Sequence, residues 1–177
     1  MKAWKHFCTI TYHKILVAKG CFKVGLYKQG ILHDMSKYSW TEFKVGAKYY
    51  QGTRSPNNAE REELGYSSAW LHHKGRNKHH LEYWVDYVRG EDSGLGGMRM
   101  PDKYVVEMFV DRIAASKVYM GDNYTDKSPW EYYLRGKVLL HQEVKELLEF
   151  MLQMLAEKGE EETFQYIKKE ILKKRSQ

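Results

Sequence analysis

A chain of 177 residues, 42% hydrophobic and 29% charged, can bury one sizeable core, so one globular domain over 1–177 is expected and a disordered or fibrous chain is excluded. No apolar run approaches the roughly 18 residues of a membrane span, the N-terminal residues lack a signal-peptide core, and two cysteines, Cys8 and Cys21, without CxxC spacing exclude a disulfide framework. A cytoplasmic protein with reduced thiols is expected, and its +6 charge favours anionic partners, from phosphate esters to nucleic acid, without identifying one.

In residues 7–28, Ile10, Val17, Cys21, Val24 and Tyr27 fall at helical spacing, with His13 in the gap of that stripe. Gly30 is expected to cap this helix. A second helix should begin near Ile31 and carry His33 and Asp34, with Lys37 one turn later. Neighbours on a helix point about 100° apart, so an adjacent His and Asp meet at one point most readily through a shared cation. Ser39 or Thr41 can cap a third helix, Trp40 to Tyr50, amphipathic through Phe43, Ala47 and Tyr50. Residues 52–58 read as a loop, and Glu60 to Leu71 as a helix.

The next segment holds His72-His73 and His79-His80, with Gly75 and Asn77 marking a break that would let both pairs converge. Imidazoles at this density need metal, carboxylate or anion partners. One member of each pair should face inward, His73 and His80, with His79 retained among the candidate ligands. Lys74, Arg76 and Lys78 form a basic patch in the same stretch.

Gly90 to Gly97 lacks the Lys and Ser or Thr of a phosphate-binding loop and reads as a flexible connection or a lid. Pro101 opens a helix to Met120 at a position where its missing N–H is harmless. Its apolar side carries Val105, Val106, Met108, Phe109, Ile113, Ala114 and Val118, and Asp111 sits inside that run, where a buried carboxylate needs a partner. Asp122, Asn123 and Asp126 form a polar turn. Ser128 should cap a helix with Pro129 in its first turn. Val138 to Leu155 is strongly amphipathic, its Met and Leu stripe core and its His141 structural, and a charged helix over 160–173 ends the chain. No strand pattern emerges, so the fold class is all-α.

The segment Ile31-Leu32-His33-Asp34-Met35-Ser36-Lys37 resembles the signature of HD-domain metal-dependent phosphohydrolases, often Leu-Leu-His-Asp-Ile-Gly-Lys, and departs from it at Ser36, where many members have Gly. The order His13, His33-Asp34, His72 or His73, His79 or His80 or both, then Asp111 is similar to the pattern of the HD subgroups that bind two metals. Asp111-Arg112-Ile113-Ala114-Ala115-Ser116 also resembles the helix bearing their last Asp. The resemblance covers roughly residues 10–120. It implies a single-domain HD-like helical bundle with a metal-site core over about 10–120 and C-terminal helices over about 128–174.

It further implies a divalent metal cofactor, two ions of iron, manganese or another divalent metal, held by His13, His33, Asp34, His73, His79, His80 and Asp111, with Asp34 bridging. A metal-activated hydroxide would attack phosphorus. Lys37 would neutralise phosphate oxygens or orient the bridging carboxylate, and Lys74, Arg76 and Lys78 would contact the substrate phosphate. The expected function is hydrolysis of a nucleotide or other phosphate ester. The alternatives are a di-iron oxygenase of the same superfamily, or a non-catalytic scaffold whose basic surface binds nucleic acid or protein.

Overall fold

The computed structural model describes residues 1–89, 94–136 and 139–173, and its 74% helix gives an all-α class in one domain. The first helix, α1 (Lys2–Val24), starts earlier and stops sooner than its apolar period suggests. Gly25, at φ 88°, takes the left-handed conformation that closes a helix, and its N–H bonds back to the Cys21 and Phe22 carbonyls. Gly30, the expected cap, lies inside a short second helix, α2 (Tyr27–Leu32). A Cβ on Gly30 would stand 3.0 Å from Cys21 Cβ and 3.1 Å from the Ala18 backbone, so glycine there lets α2 lie against α1. Tyr27, beyond the Gly25 turn, leaves the stripe and is exposed.

Helix α3 (Trp40–Tyr49) buries Glu42, Gly46 and Tyr49, one position off the stripe read from its sequence, and Ser39 precedes it without a side-chain capping bond. The expected Glu60–Leu71 helix is two helices. The first, α4 (Pro56–Leu64), ends at Gly65 with φ 79°, and α5 (Ser68–Lys74) follows Ser67, whose hydroxyl accepts the Trp70 N–H. Buried Glu60 links them by accepting hydrogen bonds from Ser67 and Ser68 at 2.5 and 2.6 Å.

Two short strands correct the expectation of none. Strand β1 (Val85–Val88) pairs antiparallel with β2 (Gly94–Gly97), Val85 opposite Gly97 and Val88 opposite Gly94. The glycine-rich partner has no alternating side chains to betray a strand. Its glycine is needed at 97, where a Cβ would come within 2.7 Å of the His141 backbone nitrogen. The connection or lid read into this stretch falls partly on residues 90–93, which lie outside the described residues.

Helix α6 (Asp102–Met120) is central and packs on α1, α7 (Ser128–Leu134) and α8 (Gln142–Tyr166). Val105, Val106, Met108, Phe109, Val110, Ile113 and Ala114 are all buried, so this helix is covered over most of its circumference. Val17, Cys21 and Val24 of α1 face it, as do Val144, Leu148, Met151, Leu152 and Leu155 of α8. Pro101 is the residue before α6, outside its first turn, and Ser128 is the first residue of α7, with its hydroxyl accepting the Thr125 N–H at 3.0 Å. Helix α8 starts after His141, later than Val138, which lies outside the described residues. It bends at Gly159, φ 81°, and a π-helical turn over Ile167–Leu172 follows. Among the described residues no helix is long and apolar enough to cross a membrane.

Near the start of α1, His6 is buried with its ring 5.4 Å from that of Phe43 and 5.9 Å from that of Tyr50. Burial, and then the charge of Lys37, push its pKa from 6.5 down to about 4. The unfolded chain therefore takes up this proton first as the solution is acidified, and the stability present above about pH 6.5 is lost as pH falls toward 4. The melting temperature should fall across that window, and less steeply in His6→Gln. Parallel pH profiles for the two proteins would show that His6 contributes nothing to it.

Candidate metal centre

At the end of α2 the backbone changes character. His33 is extended, with ψ 128°, Asp34 adopts φ 54° and ψ 25°, and a 3-10 turn over Met35–Tyr38 follows. Among the described residues Asp34 is the one non-glycine position with positive φ, in a region that Asp tolerates better than most side chains. The His33-Asp34 pair therefore lies at a helix break, which corrects the expectation that one helix carries both. This reversal turns two adjacent side chains into the same interior. Lys14 of α1 secures the break, its Nζ donating to the carbonyls of Ile31 and His33 at 2.5 and 2.9 Å. Lys14 thus closes the end of α2.

Two groups of ligand-type atoms form around Asp34. His13 of α1, His33, Asp34 and Asp111 of α6 each bring one such atom within 4.8 Å of the others, and so do Asp34, His73 of α5, His79 and His80. Asp34 belongs to both. Its Oδ2 lies 3.3 Å from His33 Nε2 and 3.8 Å from His13 Nε2, and its Oδ1 lies 3.1 Å from His73 Nε2 and 3.3 Å from His79 Nε2. Asp111 Oδ1 is 2.9 Å from His13 Nε2 and 3.4 Å from His33 Nε2, and the Nε2 atoms of His73 and His80 are 2.9 Å apart.

Every one of these imidazoles turns Nε2 inward. The Nε2 atoms of His13, His33 and His79 and Oδ1 of Asp34 are buried without a hydrogen bond, while Asp34 Oδ2 meets the Lys37 ammonium at 2.6 Å. Orphaned buried polar atoms are costly and call for a partner. Imidazole and carboxylate donors converging at this spacing fit a divalent ion of the iron, manganese or zinc kind. The expectation that only one member of each His pair faces inward needs correction at the second pair. Residues 77–80 form an irregular turn, which frees His79 and His80 from helical geometry, and both join the group. On helical α5 the rule holds, since His73 enters and His72 turns to Glu42.

Two carboxylates behind the histidines escape the sequence reading. Glu107 of α6 presents Oε1 at 2.9 Å from His33 Nδ1 and 3.2 Å from His79 Nδ1. Glu42 of α3 spans 2.8 Å to His73 Nδ1 and 2.7 Å to His72 Nδ1. Glu107 does leave a signal, an acid four residues before Asp111 within the same apolar run. Glu42 leaves none beyond being an acid in a helix's first turn. Ser36 completes this layer, its hydroxyl 3.0 Å from His73 Nδ1 and accepting from Asn77 Nδ2 at 2.8 Å.

Burial opposes every charge in the cluster, and the neighbours decide the outcome. The positive charges of His33 and Lys37 hold Asp34 well below the usual carboxylate range. Asp111 is held down by the neighbouring imidazoles of His13 and His33. Against its burial, the Asp34 carboxylate raises His33 and His73. His79 is raised by the carboxylates of Asp34 and Glu107, despite burial and the charge of His33. His13 and His80 are lowered, by burial first and then by the charge of Lys37 or of His79 respectively. The cluster thus concentrates negative charge on two carboxylates and leaves some imidazoles neutral.

Lys37 Nζ stands 2.6 Å from Asp34 Oδ2, and its side chain is 30% exposed against 3% for Asp34 and 16% for Asp111. Water therefore reaches the cluster from the Lys37 and Asp111 side. Arg76, exposed, donates to the His72 carbonyl at 3.1 Å, and exposed Lys78 lies 5.6 Å over the Tyr83 ring. Lys74 is half-buried at the end of α5. Among the described residues, none of these three pairs with a cluster carboxylate.

Fold and site together define a helical protein with two four-residue histidine and carboxylate groups built on one shared aspartate. Residues 2–154 match the family of unknown function DUF5662, and the chain belongs to that family. The matched span includes every residue of the cluster. No curated protein and no solved structure matches the chain.

Proposed function

We propose that this protein is a metal-dependent phosphohydrolase that holds two divalent ions, iron or manganese, and acts on a nucleotide or another small phosphate ester. The observation that carries this reading is the pair of four-residue groups sharing Asp34, into which four buried polar atoms point without a hydrogen bond. One ion would take His13, His33, Asp34 and Asp111. The other would take Asp34, His73, His79 and His80. These are the residues whose order resembles that of the two-metal HD-domain enzymes, and Ser36, the departure from their signature, here supports His73 through its hydroxyl.

When bound, such ions supply Lewis acidity toward a phosphoryl oxygen and lower the pKa of water. The chain's own residues supply orientation and charge. Glu42 and Glu107 hold imidazoles by Nδ1 so that Nε2 is free to ligate. Lys37, the partly exposed cation beside Asp34, can neutralise the oxygens of an arriving phosphate. In the sequence reading it shares this role with Lys74, Arg76 and Lys78, of which Arg76 donates to the His72 carbonyl and Lys78 lies over the Tyr83 ring.

The test is metal content by plasma mass spectrometry on protein purified without chelator, followed by assays of phosphate release from nucleotides and phosphodiesters, with O2 uptake as control. Two ions per chain and phosphate release would support the reading. O2 uptake without hydrolysis would transfer the site to a di-iron oxygenase. Protein that stays metal-free after exposure to Fe2+ and Mn2+ would overturn metal chemistry altogether.

A further inference from the structure

Glu107 has a position that no other residue of the cluster shares. It sits on α6 one turn before Asp111, so both acids lie on one helix face. It is only 5% exposed. Its Oε1 meets the Nδ1 atoms of two histidines at once, His33 at 2.9 Å and His79 at 3.2 Å. His33 belongs to the group with His13 and Asp111, and His79 to the group with His73 and His80. The two rings lie with centroids 4.3 Å apart, tilted by 35°. Asp34 joins the groups from the inside, and Glu107 joins them from the outside.

We propose that Glu107 is a shared positioning carboxylate that couples the two halves of the centre, so that both ions depend on it. The inference rests on the two-ion reading above. A carboxylate can satisfy both rings only if each carries its proton on Nδ1, which leaves both Nε2 atoms bare and facing Asp34. An ion on His33 would draw electron density from that ring and strengthen its N–H···O hydrogen bond to Glu107. The carboxylate so fixed holds His79 in the orientation the second ion needs. Glu42 provides the contrast, because of the two histidines it holds only His73 is a member of either group.

The experiment is calorimetric titration of metal-free protein with Mn2+ for the wild type, Glu107→Gln and Glu42→Gln, with helical content checked by circular dichroism. In Glu107→Gln both binding steps should weaken, each by about 10–100-fold, the usual effect of removing a carboxylate behind a ligating histidine. In Glu42→Gln one step should weaken and the other stay within error. Loss at a single step in Glu107→Gln, or at neither, would overturn the coupling while leaving the two-ion site intact. A wild type that binds fewer than two ions would overturn the site itself and the coupling with it. Should Glu107→Gln fail to fold, imidazole 1H–15N spectra of the Zn2+-loaded wild type decide the matter. Protons on Nδ1 of both His33 and His79 are expected, and a bare Nδ1 on either ring would refute the shared carboxylate.

Discussion

Asp34→Asn is expected to empty both halves of the proposed metal centre while leaving the helices in place. Both oxygens of Asp34 are used, Oδ1 toward His73 and His79 and Oδ2 toward His13 and His33, and among the described residues no other side chain belongs to both groups. Loss of a residue that only supports a ligand costs about 10–100-fold in metal affinity, so loss of the shared carboxylate should cost at least that for each of the two proposed ions, and the proposed phosphate release should fall to background. Asparagine also tolerates the left-handed backbone at φ 54°, which keeps the test clean. Asp34→Ala should lose the metal equally and, because alanine is strained there by about 1 kcal/mol, melt a few degrees lower than Asp34→Asn. Metal content equal to wild type in both variants would remove Asp34 from the centre.

Gly46→Ala is expected to be among the most destabilising of single-methyl additions to this chain. A Cβ at position 46 would overlap His6 Nε2 and stand 2.5 Å from its Cε1. His6 cannot simply swing away, because it is buried between the rings of Phe43 and Tyr50. Overpacking of this kind costs about 1–3 kcal/mol, or roughly 2–12 °C of melting temperature for a domain of this size. The mechanism has its own check in a double variant. Truncating the ring in His6→Ala removes the clash, so His6→Ala/Gly46→Ala should be more stable than the sum of the single effects predicts. Additive losses would place the strain elsewhere. The contact also bears on the site, since α3 carries Gly46 and Glu42 on one buried face, and a displaced α3 would loosen the support of His73.

The amino-acid sequence by itself determined the all-α class and the long helices α1, α6 and α8, because an apolar repeat of 3.6 residues is local information that survives without any neighbour. It also singled out His13, the His33-Asp34 pair, the two later His pairs and Asp111, since ionisable side chains in apolar surroundings stand out as costly. The tertiary structure alone decided how those side chains meet. The left-handed turn at Asp34, closed by Lys14, is imposed by the packing of α2 on α1 around Gly30, and no helical period could announce it. The buried face of α3 shifted one position from the expected stripe because Glu42 answers histidines 30 and 31 residues away. The β1–β2 hairpin stayed hidden because one strand is mostly glycine, chosen for close backbone approach and not for a side-chain pattern. Periodicity reports which face of an element is apolar; which polar groups share an interior is set by contacts between residues far apart in the chain, and those exist only once the helices have packed.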